Sequence, residues 1–152
     1  MNIEERFLLS IRMLGLASKG ALWNIKDYVW KDVIEGFVVK RKGHPGLVWS
    51  DKTYKSLLDT VPVMIGSSSH HRKAFRVERV FPPDESEKEY TYFRTFRPCM
   101  LPAATEDGHG SFAVKNFKGD ADGITRNHHK PSLNSEEMKE LDKYIQAKGL
   151  KI

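Results

Sequence analysis

Two short clusters of basic and polar residues stand out in this 152-residue chain as places where phosphate chemistry could occur. The first, Lys40–Gly46, has three consecutive cations followed by a histidine with glycines nearby on both sides. Exposed amides and cations in such a turn can converge on an anion, so Arg41, Lys42 and His44 are candidate phosphate contacts. The same pattern is also typical of a solvated turn between two strands.

The second cluster follows a continuous apolar run, Val61–Ile65, and reads GSSSHHRK over residues 66–73. Its hydroxyls, imidazoles and cations could all donate hydrogen bonds to a phosphodiester. A serine-rich loop without any chemistry is an equally good interpretation. No Gly-x-Ser-x-Gly motif occurs, so a serine–histidine hydrolase is not favoured. The candidates in this cluster are Ser67, Ser68, His70, His71, Arg72 and Lys73.

The chain has 6 histidines, including the adjacent pairs His70-His71 and His128-His129. Neighbouring residues on a strand point to opposite faces, so each pair would supply one metal ligand rather than two. No zinc-type spacing of histidine or cysteine is present. The single Cys99 excludes an internal disulfide, which indicates a reducing, cytoplasmic setting. We therefore predict no metal and no cofactor.

Composition limits the classes of protein to which the chain can belong. With 39% hydrophobic and 11% aromatic residues, it fits one globular domain and neither a membrane-spanning nor a disordered protein. Its net charge of +5 permits nucleic acid as a partner without requiring it. The cations gather at Lys40–Lys42, His70–Lys73 and Arg126–Lys130, where strands are predicted to turn, and this clustering predicts a basic rim.

Periodicity predicts one domain over residues 1–152, with helices at both ends of a β region. We expect an N-terminal helix within 1–20, a barrel over 29–117 and a C-terminal helix over 134–149. Strands are predicted at 35–40, 47–49, 61–65, 74–81, 90–96 and 111–117, and a turn at 41–46. Such short antiparallel strands must close on themselves or pack against a helix to hide their edges. The aromatic residues of the 90–96 strand are interpreted as core.

The segment Lys42–Ser50, followed by a short helical turn and then Val61–Ser68, resembles the core of the PemK/MazF-like toxin family. In that family a basic turn leads into an Arg-Pro-small-Leu-Val-apolar-Ser strand, and a second apolar strand ends in a Thr-Ser pair. The likeness covers residues 36–81. It implies a mainly β fold with terminal helices, built on a small SH3-like antiparallel barrel.

The resemblance also implies an activity and partners. Members of the family are usually homodimers that cleave single-stranded RNA without a metal, and each is paired with an antitoxin protein. The implied protein is cytoplasmic and has no membrane partner. The position of the family's arginine falls at His44, and its active-site hydroxyl falls at Ser67 with Ser68 adjacent. An imidazole cannot bind a phosphate bidentately as a guanidinium does, so this substitution changes the expected chemistry.

Two functional hypotheses remain open from the sequence. In the first, the protein is an endoribonuclease in which His44 and one of His70 or His71 exchange protons with the RNA. Histidine suits this role because imidazole titrates near neutral pH. Arg41 or Arg72 would then supply the missing positive charge. In the second, the protein is a non-catalytic RNA- or protein-binding barrel, which would use the basic rim and the aromatics Tyr90, Tyr92, Phe93 and Phe96 but no acid–base pair. Convergence of His44, Ser67 and Arg72 on one face would favour the first hypothesis.

Overall fold

The computed structural model describes residues 18–39, 43–50, 60–70, 72–80, 90–94, 99–102, 120–121 and 123–150. These residues form eight strands and two helices. In chain order the elements are β1 (Leu22–Lys26), α1 (Asp27–Val33), β2 (Gly43–Val48), β3 (Thr60–Ser67), β4 (Phe75–Glu78), β5 (Tyr90–Phe93), β6 (Cys99–Pro102), β7 (Asp120–Ala121), β8 (Ile124–Arg126) and α2 (Ser135–Lys148).

Several sequence predictions lie outside the described residues. They include residues 1–17 of the N-terminal helix predicted within 1–20, the short helical turn after Ser50 and the strand at 111–117, whereas residues 18–20 are described and are not helical. Three candidate site residues also lie outside them: Arg41, Lys42 and His71.

All strand pairs are antiparallel, and the strand order is β4-β5-β3-β2-β1-β8-β7, with β6 also paired to β3. β3 is the branch point, because its first residues pair with β6 and its last two pair with β5. Within the described residues, β4 and β7 end the order and do not pair with each other. The prediction of a mainly β fold is confirmed, but this sheet is open and a closed barrel is not observed.

Strand alternation gives the central sheet two buried faces. The inner face carries Leu22, Leu47 and Met64, which pack with the buried side of the β4–β5 hairpin and with α2. The outer face carries Ile25 and Val63, which pack with α1. Strands buried on both sides lose the alternation of apolar and polar residues, and so Val61–Met64 is a continuous apolar run.

The local patterns with the strongest signals are confirmed. Strands form within the predicted segments 61–65, 74–81 and 90–96, and β4 and β5 pair as the expected hairpin. α2 begins at an Asn134–Glu137 capping box and ends at Gly149 in the left-handed conformation. Neither helix of the described residues is long and apolar enough to cross a membrane.

The predicted strand at 35–40 is not found in the described residues. Instead α1 occupies 27–33, so the predicted barrel boundary at residue 29 falls inside a helix. Val29, Trp30 and Val33 lie at helical spacing and pack on the outer face, which favours a helix here. The chain then turns at Gly36, whose φ is +75°, and residues 37–39 continue without strand pairing.

The predicted turn at 41–46 also differs from the structure, because β2 already begins at Gly43. Pro45 stands opposite Asn24 of β1, and the β2–β3 pairing starts only at Gly46. Proline has no N–H to donate, which is consistent with a ladder that starts just after it. A glycine- and proline-rich sequence thus forms the end of a strand rather than a turn.

Gly46 is a close-packed point between α1 and the sheet. A Cβ atom added there would lie 2.5 Å from Ile25 Cδ1 and 2.9 Å from Val63 Cγ1. We expect Gly46→Ala to lower the free energy of unfolding by about 1–3 kcal/mol, because the core must be displaced to admit a methyl group. Chemical denaturation should show the loss.

The matched control is Lys139→Ala on the exposed surface of α2, where the change should stay within about 0.5 kcal/mol. Superimposable unfolding curves for Gly46→Ala and the unsubstituted protein would contradict the close packing described here.

Candidate active site

A buried carboxylate and an imidazole meet where α1 begins and β2 starts. Asp27 is the first residue of α1 and is only 2% exposed. Its Oδ1 lies 2.6 Å from Nδ1 of His44, whose side chain is 17% exposed. A buried carboxylate requires a strong hydrogen-bonding partner to offset the loss of water, and His44 provides one.

Two aromatic residues help to fix His44. Phe37 places the edge of its ring against the imidazole, with the ring centroids 5.8 Å apart and the planes at 82°. Trp30 donates a hydrogen bond from Nε1 to the backbone carbonyl of His44 at 3.2 Å. Helix α1 and the residues just after it therefore hold both the backbone and the ring of His44.

The contact with Asp27 defines which nitrogen of His44 can accept a proton. A carboxylate only accepts hydrogen bonds, so the neutral imidazole carries its proton on Nδ1. The lone pair then lies on Nε2, the atom that faces away from Asp27. This is the arrangement in which a carboxylate orients a histidine as a general base.

His44 and Ser67 lie at the same end of neighbouring strands. The β2–β3 pairing has Gly46 opposite Ile65; His44 lies two residues before Gly46 and Ser67 two residues after Ile65, beyond the last paired residues. Both residues then belong to the outer face of the sheet. Ser67 in turn pairs with Tyr92, and Tyr92 pairs with Arg76.

We call the four residues His44, Ser67, Tyr92 and Arg76 the outer row. They stand one on each of the neighbouring strands β2, β3, β5 and β4. With strands about 4.8 Å apart, the row extends about 14 Å across the sheet.

The serines take part in a local turn. The Ser67 hydroxyl accepts a hydrogen bond from the backbone N–H of Ser69 at 3.2 Å, while Ser68 is half-buried. His70 is exposed, and its ring packs edge-on against Tyr92 with the centroids 5.1 Å apart. The structure therefore brings His70 beside the outer row.

Convergence of His44, Ser67 and Arg72 on one site stays a prediction, although His44 and Ser67 lie on neighbouring strands. Arg72 and Lys73 are exposed, but they precede β4 at the edge of the sheet, and β5 and β3 separate that strand from β2. Tyr144 of α2 donates its hydroxyl hydrogen to the Lys73 carbonyl, which ties this segment to α2. The cation that stands in the outer row is Arg76.

Two cations of the segment Arg126–Lys130, the third part of the predicted basic rim, contact other side chains of the protein. The Arg126 guanidinium lies over the Trp23 ring at 5.2 Å, and burial lowers its pKa. Lys130 contacts Glu137 at 2.8 Å, with both side chains less than one-fifth exposed. The cations of Arg126–Lys130 therefore serve in packing β8 and α2.

Sequence reasoning missed Asp27 and Arg76, and it considered Tyr92 only for the RNA-binding alternative. Asp27 belongs to no local motif, and nothing in its neighbourhood points to His44. Tyr92 was interpreted as core, but only Phe93 and Thr91 of β5 point inward, whereas Tyr90 and Tyr92 are half-buried on the outer face. The two-residue period of a strand was the available signal, because it places Tyr90 and Tyr92 on the same face and opposite to Phe93.

A cleft of about 260 Å³ opens at the ends of β1 and β2. Asn24, Pro45 and Thr125 stand in one cross-strand row and point to the inner face, opposite to the imidazole of His44. The residues that line the cleft are Asn24, Ile25, Lys26, Gly43, His44, Pro45 and Thr125.

The described residues contain no group of three or more His, Cys, Asp or Glu side chains that could hold a metal ion. The adjacent residues His128 and His129 are both exposed, and the backbone N–H of His129 donates to the side chain of Asn127. The site described by these residues is therefore an acid–imidazole pair with nearby hydroxyl, aromatic and guanidinium groups.

Replacing Asp27 with asparagine should change the tautomer of His44. An amide can donate a hydrogen bond to Nδ1, so the ring proton is expected to move to Nε2. Long-range ¹H–¹⁵N NMR of the histidine rings reads the tautomer directly. Loss of the charged hydrogen bond should also lower the free energy of unfolding by about 1.5–3 kcal/mol.

His128 and His129 are internal controls, because both are exposed and their signals should not change. If His44 shows the same tautomer in Asp27→Asn as in the unsubstituted protein, the carboxylate does not orient the ring.

Comparison with known proteins adds no family to this description, because no protein-family model, no curated protein and no solved structure matches the chain.

Proposed function

We propose that this protein is a metal-independent endoribonuclease that acts on single-stranded RNA, with His44 as its proton-transferring residue. The observation that carries the proposal is the 2.6 Å contact between the buried Asp27 carboxylate and His44. Removing a carboxylate from water costs free energy. A buried carboxylate beside an imidazole therefore indicates that the pair has a role in orientation or stability. General base catalysis is the chemistry that this orientation serves best.

The proposed reaction is transesterification of the RNA phosphodiester. Nε2 of His44 takes the proton of a 2′-hydroxyl, and the freed oxygen attacks the adjacent phosphorus. The bond from phosphorus to the 5′-oxygen breaks, and a proton donor protonates that oxygen as it leaves. The products are a 2′,3′-cyclic phosphate and a free 5′-hydroxyl, and no water or metal is consumed.

His70 is the proposed proton donor. It is exposed and packs against Tyr92, the residue that follows Ser67 in the outer row. Two strand spacings, about 10 Å, separate the positions of His44 and Tyr92, which leaves room for a phosphate between the two imidazoles. Arg76 is the nearest described cation of the row and would attract the phosphate.

The finer assignments that follow from the resemblance belong to the same proposal. They are an SH3-like barrel, a homodimer, an antitoxin protein as partner and a cytoplasmic location. The sequence pattern around Lys42–Ser50 and Val61–Ser68 supports them.

A second candidate function is RNA binding without cleavage. The ring contacts among His70, Tyr92 and Tyr90, with Arg76 beside them, favour it because they require no proton transfer. The same RNA-binding surface serves both candidates, and only turnover distinguishes them.

Incubation of the purified protein with single-stranded RNA in EDTA tests the proposed activity. We expect cleavage that leaves 2′,3′-cyclic phosphate ends. His44→Ala should reduce the rate by about 10²–10⁴-fold, because it removes the general base. Asp27→Asn should reduce the rate by a similar factor, because the wrong tautomer places a proton on Nε2.

The matched control is His128→Ala, which removes an exposed imidazole from another part of the surface and should leave the rate unchanged. Absence of cleavage by the unsubstituted protein on all RNA sequences tried would refute the enzymatic proposal. Salt-dependent binding in that case would leave the second candidate standing.

A further inference from the structure

We propose that the outer side of the β4–β5 hairpin is a base-stacking platform for single-stranded nucleic acid, formed by Tyr90, Tyr92 and His70 with Arg76. This inference deepens the proposed function, on which it rests for the class of ligand. It assigns binding to residues that take no part in the proposed proton transfer, with the exception of His70.

The three rings form a continuous surface. The Tyr90 and Tyr92 ring centroids are 6.5 Å apart with the planes at 53°, and the His70 and Tyr92 centroids are 5.1 Å apart. The Arg76 guanidinium lies 4.5 Å from the Tyr90 centroid. Aromatic faces and guanidinium planes are the groups on which unpaired bases stack.

The hairpin does not need these rings for its core. Phe75, Val77 and Phe93 cover its inner side and are at most 6% exposed. Tyr90 and Tyr92 point to the opposite side, where both remain half-buried. Tyrosine rings that the core does not require, and that remain partly open to solvent, are available to bind a ligand.

Charge favours a polyanion over a protein partner at the part of this surface near Arg72, Lys73 and Arg76. Arg72, Lys73 and Arg76 are exposed on β4 or just before it. Glu78, opposite Tyr90, is the one acidic residue on the outer side of the described part of the hairpin. We therefore infer that the nucleic acid runs from Tyr90 across Tyr92 and His70 toward Ser67 and away from Glu78.

The platform also continues the outer row toward His44. Tyr92 belongs to both surfaces, because it pairs with Ser67 on one side and with Arg76 on the other. A strand stacked on Tyr92 and His70 would bring its next phosphate toward the Asp27–His44 pair. The platform is thus a binding surface for the nucleotides that flank the reacting phosphate.

Binding is best measured with a fluorescent 2′-O-methyl oligoribonucleotide of about 10 nucleotides, which lacks the hydroxyl needed for cleavage. We expect Tyr90→Leu and Tyr92→Leu each to weaken binding by about 5- to 100-fold, because leucine keeps apolar area but has no flat ring. Tyr90→Phe and Tyr92→Phe should retain binding. A 2-aminopurine in the oligonucleotide should be quenched on binding, and less so with the leucine variants.

Arg72→Gln tests the charge contribution, with Lys139→Gln on α2 as its matched control. The first should reduce the slope of log affinity against log salt by about 0.7, and the second should leave it unchanged. Thermal melts identify variants that remain folded, and the phenylalanine and arginine variants still test the proposal if a leucine variant does not fold.

The outcomes separate this proposal from the proposed activity. Binding that depends on the tyrosine rings supports the platform, whether or not unmodified RNA is cleaved. Tight binding with unaltered affinity in every tyrosine variant overturns the platform. The proposed cleavage activity is not contradicted by that result. Failure to bind any oligonucleotide, including a case in which the hairpin binds only a protein, also overturns the platform.

Discussion

The structure depends on covering both faces of its central strands. β1, β2 and β3 carry apolar side chains on both sides, so neither face can be left to water. The β4–β5 hairpin and α2 close the inner face, and α1 closes the outer face. The dense packing at Gly46 shows how closely the helix approaches the sheet, because Cζ2 of Trp30 would lie only 3.4 Å from a Cβ atom added there, and Ile25 and Val63 would lie nearer still.

Burying α1 also buries the carboxylate of its first residue. Asp27 is buried together with Val29 and Trp30, and the imidazole of His44 supplies a hydrogen bond that offsets the loss of water. Removal of either partner would cost the other a charge-assisted hydrogen bond in a low-dielectric setting, so the fold and the pair stabilise each other. In a histidine held in this way, Nδ1 contacts the carboxylate and Nε2 is the nitrogen that can accept a proton.

Strand alternation extends the outer face beyond α1. It aligns His44, Ser67, Tyr92 and Arg76 across four strands that come from distant parts of the chain. The residue proposed to transfer protons and the surface proposed to bind unpaired bases thereby lie on the same face of the sheet. The cations of Arg126–Lys130 do not belong to this arrangement, because Arg126 packs on Trp23 and Lys130 pairs with Glu137.

The sequence alone determined the elements whose signals are local. The alternation over 74–81, the apolar run at 61–65 and the Asn134–Glu137 capping box each depend on neighbouring residues. It also identified His44, Ser67 and His70 as candidate site residues.

Tertiary structure decided the rest. The helix at 27–33 forms because its apolar residues lie at helical spacing and cover an apolar face of the sheet. Arg79 has a φ of 58°, and Val80 after it is buried, contrary to the simple strand alternation. Asp27 and His44 are 17 residues apart, and they meet only because β1 and β2 pair in one register. Contacts of this kind arise from pairing between distant segments, which no local pattern encodes.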